Sequence, residues 1–353
     1  MLGTLIKPAY LGIRKLILRT FIRPGPPPPI PQTIRSLLVI SDGRLGDVCL
    51  AIPVLQCLRE AYPDASLGIV TPRRLQPLVQ WACQPNYLFD LDNSRAFTGI
   101  HWDIVIDLTT DYHLKPARLA AETDASVRIG FEHSGRSQYF NLPLVMSENE
   151  HMQDTYRRVL GPLGIDFRSI PLPALVPTEA PREGKPYTVA IHPGAHFQTQ
   201  RWPSGYFGQL IRRIHERAEF CLVLGNEDET ELVDEIVTSG GPGALRGITR
   251  DVMELAAAIR SSQVLICNNS GPVHLAGLLG VPTLSFMGPT VKRRWLPRGS
   301  HAVVLRRDNL PCIGCNRGYC RIRTHACMVE IGPDEAFDAF LELRRQLLSG
   351  FSK

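Results

Sequence analysis

The stretch "VLICNNSGPVHLAGLLGVPTLSF" (residues 264–286) holds the pattern that decides the fold. It begins with an apolar run of strand length, passes through a small polar turn, continues as an apolar helical stretch and ends in a second apolar run. Pro272 fits the first position of the helix, because proline lacks the N–H that this position leaves unbonded. A strand, a helix and another strand in this order predict a parallel β-sheet covered by helices.

The same alternation occurs in two rounds along the chain. The earlier round has four apolar segments of strand length: SLLVI (36–40), LGIV (67–70), IVIDL (104–108) and VRIG (127–130). The later round has four as well: YTVAI (187–191), FCLVLG (220–225), VLICN (264–268) and PTLSF (282–286). Amphipathic helical stretches separate these segments. We therefore predict an α/β protein with two Rossmann-like, doubly wound parallel-sheet domains.

A proline-rich stretch, residues 171–186, lies between the two rounds and is typical of an interdomain linker. The predicted organisation is a basic tail with a proline-rich spacer (1–35), a first domain (36–175) and a second domain (176–353). The second domain carries a cysteine-rich segment (312–327) and a terminal helix. We expect the two domains to face a central cleft, with ligands at the carboxyl ends of the strands.

Basic charge is concentrated at the start of the chain. The 353 residues contain 39 Lys and Arg against 34 Asp and Glu, a net charge of +5. Six of the bases and none of the acids lie in the first 41 residues, so the remainder has 33 bases against 34 acids. Because this remainder of the chain, which we call the body of the protein, is so close to neutral, a nucleic-acid partner is disfavoured. A hydrophobic content of 44% argues against disorder.

The basic tail has two interpretations. Between residues 10 and 22, apolar residues alternate with bases at roughly helical spacing, without a run long enough to span a bilayer or a recognisable secretory signal. One interpretation is a solvated basic helix. The other places residues 1–30 on an anionic membrane surface, with the bases at the headgroups. Five large apolar residues, which favour the second interpretation, would then enter the membrane: Leu11, Ile13, Leu16, Leu18 and Phe21.

Four of the nine cysteines are crowded into one short segment. They are Cys312, Cys315, Cys320 and Cys327, with His325 nearby. Their spacing, C-x2-C-x4-C-x6-C, could ligate zinc or an iron–sulfur cluster in a structural role. The equally weighted alternative is a metal-free set of strained or redox-labile thiols. We expect thiols rather than disulfides, because a cytosolic enzyme of this size seldom carries structural disulfides.

The loop after the first predicted strand, "SDGRLGD" (41–47), excludes one common function. It lacks the G-x-G-x-x-G pattern of a dinucleotide site, and no acid ends the following strand, so a nicotinamide dehydrogenase is disfavoured. Asp47 closes this loop just before a helical stretch. Taken alone, it fits the N-cap of that helix.

Small and polar residues also follow the strands of the second round. Backbone N–H groups at Gly194, Ala195 and the start of the helix after Ser270 can approach an anion closely. Arg201 suits a phosphate, and a carboxylate at Glu227 can accept from sugar hydroxyls. Taken singly, each residue fits a turn, a helix cap or a buried histidine. Taken together at strand ends, they favour a binding site for an anionic ligand, formed by Gly194, Ala195, Gln200, Arg201, Glu227, Asn269, Ser270, Gly271, Pro272 and His274.

Four blocks of the chain together resemble a known family. They are "GRLGDVCLAIPVLQCLREAYPDA", "HPGAHFQTQRWP", "NNSGPVHLAGLLGVPTLSFMGPT" and "CIGCNRGYC…HACMVEI", in this order over most of residues 36–335. The blocks are similar to the signature blocks of the heptosyltransferases of lipopolysaccharide core assembly, glycosyltransferase family 9. The resemblance implies a GT-B fold, with an acceptor-binding first domain and a nucleotide-sugar-binding second domain. It also implies inverting transfer without a metal or other cofactor, typically from ADP-heptose.

The resemblance also implies roles for individual residues. Asp47 matches the proposed catalytic base, and Arg44 and Gly46 lie in the same block beside the acceptor. Gly194, Ala195, Ser270 and Gly271 match the diphosphate cradle, while Glu227 and His274 match residues at the nucleotide. A carboxylate that caps a helix is stabilised as its anion, so capping by Asp47 would make it a weaker base.

Two positions depart from the pattern of the family. Asn269 stands where the family usually has Asp, and Gln200 stands where it usually has Lys. The loss of one acid and one base together is what a lost ion pair would look like. It keeps open a second function, a catalytically weakened nucleotide-sugar-binding or assembly protein of the same fold. A sugar-nucleotide epimerase is a weaker third, because it gives no reason for the basic tail.

These observations lead to one principal expectation. The protein is predicted to be a cytoplasmic glycosyltransferase, held on the inner face of the bacterial inner membrane by residues 1–30. It would move heptose or a related sugar from a nucleotide sugar to a glycolipid acceptor.

Overall fold

The structure is a computed structural model that describes residues 28–173, 189–299 and 301–350, together with five residues of the tail. The tail residues are Tyr10, Leu11, Ile13, Arg14 and Ile17. The chain divides into two compact units, Met1–Pro173 and Ala174–Lys353. Most of the predicted linker (171–186) lies outside the described residues.

The first unit contains one six-stranded sheet, in the order β3-β2-β1-β4-β5-β6, and every neighbouring pair of strands is parallel. Its strands are β1 (Ser36–Ile40), β2 (Ser66–Val70), β3 (Tyr87–Phe89), β4 (His101–Asp107), β5 (Asp124–Glu132) and β6 (Leu142–Val145). Its helices are α1 (Leu45–Ala61), α2 (Gln76–Cys83), α3 (Arg95–Thr98), α4 (Lys115–Glu122) and α5 (Met152–Arg157).

The second unit repeats this plan, with a parallel sheet in the order β12-β11-β10-β7-β8-β9. Its strands are β7 (Val189–His192), β8 (Cys221–Gly225), β9 (Ala244–Ile248), β10 (Val264–Asn268), β11 (Thr283–Phe286) and β12 (Ala302–Leu305). Its helices are α6 (Ser204–His215), α7 (Thr230–Gly240), α8 (Val252–Arg260), α9 (Gly271–Leu278), α10 (Lys292–Trp295), α11 (Ala326–Val329) and α12 (Pro333–Gly350).

The central strands of both sheets are continuous apolar runs because helices cover them on both faces. All five residues of β8 and of β10 are buried, as are the last four residues of β1. In each sheet the first strand of the chain, β1 or β7, lies in the middle, and the later strands are added on either side of it. The residues that follow β1 and β7 therefore lie at a topological switch point. The predicted α/β class with two doubly wound parallel sheets is confirmed.

Four strands were not identified in the sequence, and all four lie at the edges of the sheets. They are β3, β6, β9 and β12. None is buried throughout, and no residue of β3, β6 or β12 is buried. An edge strand needs no continuous apolar run, so the signal that reveals a central strand is missing from it.

The described part of the tail is helical, but one of its bases does not point into solvent. The Arg14 guanidinium donates to the carbonyl of Ser134 from both Nε (3.1 Å) and Nη2 (2.6 Å). The expectation that every base of the tail lies at lipid headgroups is therefore wrong for Arg14. Leu16, Leu18 and Phe21 lie outside the described residues. None of the described helices has the length and apolar character needed to cross a bilayer.

Candidate functional site

Asp47 is held by two hydrogen bonds at the carboxyl edge of the first sheet. Helix α1 begins at Leu45 with Arg44 as its N-cap, so Asp47 is the third helical residue and not the cap that the sequence suggested. One carboxylate oxygen accepts from the backbone N–H of Arg44 at 3.0 Å. The other accepts from the hydroxyl of Tyr156, on α5, at 3.2 Å. Arg44 itself is exposed, and Gly46 is buried in the first turn of α1.

Gly43 is the residue that lets the loop close over Asp47. A Cβ at position 43 would lie 2.5 Å from the Cβ of Asp47 and 3.0 Å from its carboxyl carbon. Real Cβ atoms do not approach neighbours this closely, so any other residue here would displace the carboxylate. Gly43, the first of the two glycines in "SDGRLGD", therefore belongs to the surroundings of Asp47.

The surroundings of Asp47 raise the pKa of its carboxyl group above the ordinary value of 3.8, chiefly because burial disfavours the charged form. The hydrogen bonds from Arg44 and Tyr156 lower the pKa but do not outweigh burial. We expected capping to make Asp47 a weaker base. The hydrogen bond from Arg44 does lower the pKa as expected, but the net pKa is raised because desolvation is the larger effect.

A buried ion pair, absent from the sequence analysis, lies at the same edge of the sheet. Asp107, the last residue of β4, pairs with Arg136, and both side chains are fully buried. Asp107 also accepts from the N–H of Thr109 at 2.8 Å, and Arg136 donates to the carbonyl of His113. The sequence carried one signal of this pair, an acid at the end of the apolar run "IVIDL". An acid is seldom buried unless it is paired.

Charges crowd around this edge of the first sheet. The pKa of Asp42 is raised by its burial and next by the neighbouring carboxylate of Asp111, while Lys115 opposes these effects. The same carboxylate of Asp111 also raises the pKa of Asp47 slightly. The carboxylate of Asp111, in the loop after β4, thus lies close enough to act on Asp42, in the loop after β1, and on Asp47.

At the carboxyl edge of the second sheet, β7 ends in the buried residue His192. Burial lowers the pKa of His192, although Glu229, 3.7 Å away, acts in the opposite direction. We therefore expect a neutral imidazole at neutral pH. Its Nδ1 is buried and has no hydrogen-bond partner among the described residues.

The sequence analysis left room beside Gly194 for an anionic ligand, and in the structure the carboxylate of Glu229 lies there. A Cβ at Gly194 would lie 1.8 Å from a carboxylate oxygen of Glu229. Glu229 also accepts from the N–H of Asn226 at 3.2 Å. Glu227, the acid singled out in the sequence, is exposed one short turn earlier. Sequence reasoning missed Glu229 because nothing in the run "NEDE" distinguishes one acid from another.

Arg201 and Ala195 contact each other. The guanidinium of Arg201 donates to the carbonyl of Ala195 from Nε (3.2 Å) and Nη2 (3.0 Å). This contact closes the loop that follows β7. Part of the hydrogen-bonding capacity of Arg201 that the sequence assigned to a phosphate is thus used within the loop.

Asn268 ties the two central strand ends together, and the sequence analysis gave it no role. Its Oδ1 accepts from the N–H of Trp202 at 2.8 Å, and its Nδ2 donates to the carbonyl of Pro193 at 2.6 Å. The hydroxyl of Ser270 is 3.4 Å from the carbonyl of Gly194. Ser270 occupies the N-cap position of α9 without a side-chain cap hydrogen bond, so it leaves the first N–H groups of that helix uncapped by its own side chain.

The two departures from the family pattern have separate hydrogen bonds. Asn269 donates from Nδ2 to the carbonyl of Trp295 at 3.1 Å. Gln200 donates from Nε2 to the hydroxyl of Thr290 at 3.1 Å and accepts from the N–H of Phe197 at 3.3 Å. An Asp carboxylate at 269 could not donate to that carbonyl, since an ionised carboxylate only accepts. The neutral amide side chains at both positions therefore have hydrogen-bond partners of their own in this structure.

The helix of the quoted stretch, α9, begins at this edge of the second sheet. Gly271 begins α9, and Pro272 occupies its second position. His274 is buried one turn into the helix, with its ring centroid 6.1 Å from that of Trp295. The predicted residues Gly194, Ser270 and Gly271 are thus brought together at the ends of β7 and β10.

All nine cysteines are free thiols. Burial and, to a smaller extent, the charges of Cys315, Cys312 and Cys320 together raise the pKa of Cys327 to about 11, so these thiols are close enough to influence one another. Among the described residues, no three side chains of His, Cys, Asp or Glu are arranged to hold a metal ion. The metal and the labile-thiol hypotheses both remain predictions.

Comparisons with known proteins identify the family. The model of "Glycosyltransferase family 9 (heptosyltransferase)" matches residues 94–325, more than half of the chain. Lipopolysaccharide heptosyltransferase 1 of Pseudomonas aeruginosa is 30% identical over 317 residues, 80% of this chain and 87% of that protein. Lipopolysaccharide heptosyltransferase 3 of Escherichia coli is 24% identical over 291 residues, 73% of this chain and 85% of that protein.

Among solved structures, the E. coli ADP-heptose lps heptosyltransferase II superposes with a TM-score of 0.73 at 17% identity. The match covers 88% of this chain and 99% of that one, which shows a shared GT-B fold. The extent of the family match and the two parallel-sheet units agree with each other. The chain therefore belongs to glycosyltransferase family 9, the heptosyltransferase family, and is a glycosyltransferase.

Proposed function

We propose that this enzyme transfers heptose, or a closely related sugar, from ADP-heptose to a lipopolysaccharide-core or other glycolipid acceptor. The transfer inverts the anomeric carbon and needs no metal. The observation that carries the proposal is the position of Asp47, which is held by Tyr156 and Arg44 in surroundings that raise its pKa. The donor is proposed from the names of the relatives, lipopolysaccharide heptosyltransferases and an ADP-heptose heptosyltransferase.

Asp47 serves as the general base in this mechanism. An acceptor hydroxyl attacks the anomeric carbon from the face opposite the leaving nucleotide, while the carboxylate removes its proton. A carboxylate with a raised pKa is a stronger base than an ordinary aspartate, provided that it remains ionised at the working pH. Arg44, exposed in the same loop, is placed to contact an acidic acceptor.

The second unit binds the donor at the ends of β7 and β10. The first N–H groups of α9, which the Ser270 side chain leaves uncapped, favour a diphosphate. These donors also stabilise the negative charge on the departing nucleotide, which lowers the barrier. Glu227 is proposed to contact the nucleotide and His274 to support the helix that meets the phosphates.

The enzyme is proposed to work at the inner surface of the bacterial inner membrane. Three described tail residues, Tyr10, Ile13 and Ile17, expose 58%, 60% and 51% of their surface. They recur at helical spacing, so they share one face of the tail helix. An apolar helical face in a basic tail suits an anionic membrane, where a lipid-linked acceptor is found.

A second candidate function is a nucleotide-sugar-binding or assembly protein with weakened catalysis. It is favoured by one observation, the neutral side chains at Gln200 and Asn269. Without a lysine at 200, the diphosphate site lacks one positive charge. The amides of Gln200 and Asn269 donate hydrogen bonds to Thr290 and to the carbonyl of Trp295, which supports a pocket built without an ion pair.

The test is donor binding by calorimetry together with transfer to a glycolipid extract, for wild type and Asp47→Asn. We expect both proteins to bind ADP-heptose alike, whereas turnover of Asp47→Asn falls by about 10²–10⁴-fold. Arg74→Gln, an exposed change in the same unit, is the control and should retain activity. Binding without transfer by wild type supports the second candidate, and absence of any nucleotide-sugar binding contradicts both.

A further inference from the structure

The segment from Lys292 to Arg323 is strongly basic, although the body of the protein is nearly neutral. It contains a single acid, Asp308. Its nine bases are Lys292, Arg293, Arg294, Arg298, Arg306, Arg307, Arg317, Arg321 and Arg323. The proposed transfer reaction assigns no role to these side chains. This concentration of positive charge is typical of a segment that binds an anionic partner.

Among the described residues, carboxylates form ion pairs with three bases in the earlier part of this segment but with none at its end. Arg306 and Lys292 pair with Asp308 at 2.7 and 2.9 Å, and Arg307 pairs with Glu335. In contrast, no carboxylate of residues 28–173, 189–299 and 301–350 forms an ion pair with Arg317, Arg321 or Arg323. Three arginines within seven residues therefore carry charge without a counterion in the described chain.

Two large apolar side chains lie between these arginines and point into solvent. Tyr319 exposes 60% of its surface and Ile322 exposes 54%. The Arg317 guanidinium lies 6.0 Å from the centre of the Tyr319 ring, a cation–π contact. Exposed aromatic and aliphatic side chains among unpaired arginines suit an interface that is apolar on one side and charged on the other.

Backbone contacts hold this loop against two neighbouring loops of the second unit. The carbonyl of Arg317 accepts from the hydroxyl of Thr199 at 2.7 Å, and the N–H of Asn316 donates to the carbonyl of Pro289 at 2.7 Å. Gly318 packs on Phe197, since a Cβ there would lie 2.9 Å from the ring. A loop that is already ordered loses less conformational entropy when it binds a surface.

We propose that residues 317–323, which we name the basic loop, dock onto an anionic lipid surface. Each arginine would meet lipid phosphate, while Tyr319 and Ile322 enter the interfacial region. The near-neutral body of the protein disfavours a nucleic acid as the partner, because nucleic-acid surfaces need a broad basic face. The proposal concerns the second unit by itself and does not require the tail.

The test is sedimentation of the full-length protein with vesicles of phosphatidylglycerol and phosphatidylcholine, and with phosphatidylcholine alone. We expect Arg321→Gln/Arg323→Gln to weaken partition onto the anionic vesicles by about 25-fold, about fivefold for each charge. Tyr319→Ser/Ile322→Ser should weaken it as well, with less dependence on salt. Binding to phosphatidylcholine alone should be weak for every variant.

Arg217→Gln/Arg260→Gln is the matched control, since it removes two exposed charges of the second unit outside the basic loop. It should change partition by less than about twofold. The loop and control variants should share the wild-type circular dichroism spectrum and melting temperature. Equal partition of the loop variant and wild type would overturn the proposal. So would loss of ADP-heptose binding with vesicle binding intact, which would make the loop part of the sugar site.

Discussion

At the scale of single residues, Asp47 is subject to two opposing influences. Burial favours its neutral form, and the hydrogen bonds from Tyr156 and Arg44 favour its anion. The balance sets the pH at which the carboxylate can act as a base. Because the pKa is raised, activity should be lost, as pH falls, at a higher pH than for an exposed aspartate.

Tyr156→Phe should shift this loss of activity at acidic pH to a still higher pH. The change removes a hydrogen bond that stabilises the carboxylate anion, so the pKa of Asp47 rises and the fall in kcat/KM begins at a higher pH. The measurement is the pH profile of kcat/KM for both proteins, with Tyr139→Phe as the control. A profile that is lowered uniformly, without a shift along the pH axis, would argue against Asp47 as the titrating base.

Gly194→Ala should weaken donor binding. The new Cβ would lie 1.8 Å from an oxygen of the Glu229 carboxylate, so this carboxylate must move. The moved charge changes the surroundings of the proposed diphosphate site, and we expect the Kd for ADP-heptose to rise by about twofold to fivefold. Calorimetry provides the measurement. The double variant Gly194→Ala/Glu229→Ala removes the clashing oxygen and should recover most of the affinity. Failure to recover would show that the glycine acts in some other way.

At the scale of elements, the ion pair of Asp107 and Arg136 connects the end of β4 to the turn that follows β5. Arg136 also donates to the carbonyl of His113 in the loop after β4. A pair of this kind contributes little compared with apolar residues, but the loss of one partner leaves a buried charge. The pair therefore fixes the loops beside Asp47.

Arg136→Met should destabilise the protein by about 3–5 kcal/mol near neutral pH. The penalty should shrink in mild acid, because the buried Asp107, whose pKa is already raised, then takes up a proton and loses its charge. Urea unfolding at both pH values is the measurement. Asp107→Asn/Arg136→Met should be more stable than Arg136→Met at neutral pH. A penalty independent of pH would point to lost packing of the arginine side chain instead.

At the scale of the whole molecule, the proposed membrane binding of the tail can be tested separately from donor binding. Ile13→Asp/Ile17→Asp should weaken binding to anionic vesicles by about tenfold or more for each isoleucine, since each loses the gain from burial in lipid. Donor binding should not change. The same substitutions at the exposed residues Ile100 and Val145 are the control. Vesicle binding equal to that of wild type would refute the role of the tail.

The sequence by itself determined the α/β class, the central strands and the family. Buried parallel strands are continuous apolar runs, and the glycine and proline residues at their ends are required by local backbone geometry, so both are visible without tertiary contacts. The edge strands were not visible, because a half-exposed strand carries no such run.

Only the tertiary structure decided which groups surround the site. Glu229 rather than Glu227 packs beside Gly194, Tyr156 reaches Asp47 from more than a hundred residues away, and Arg136 buries its charge against Asp107. The direction of the pKa shift of Asp47 was also decided by the tertiary structure. Local capping predicted a lower value, whereas desolvation, which depends on everything packed around the carboxyl group, raised it.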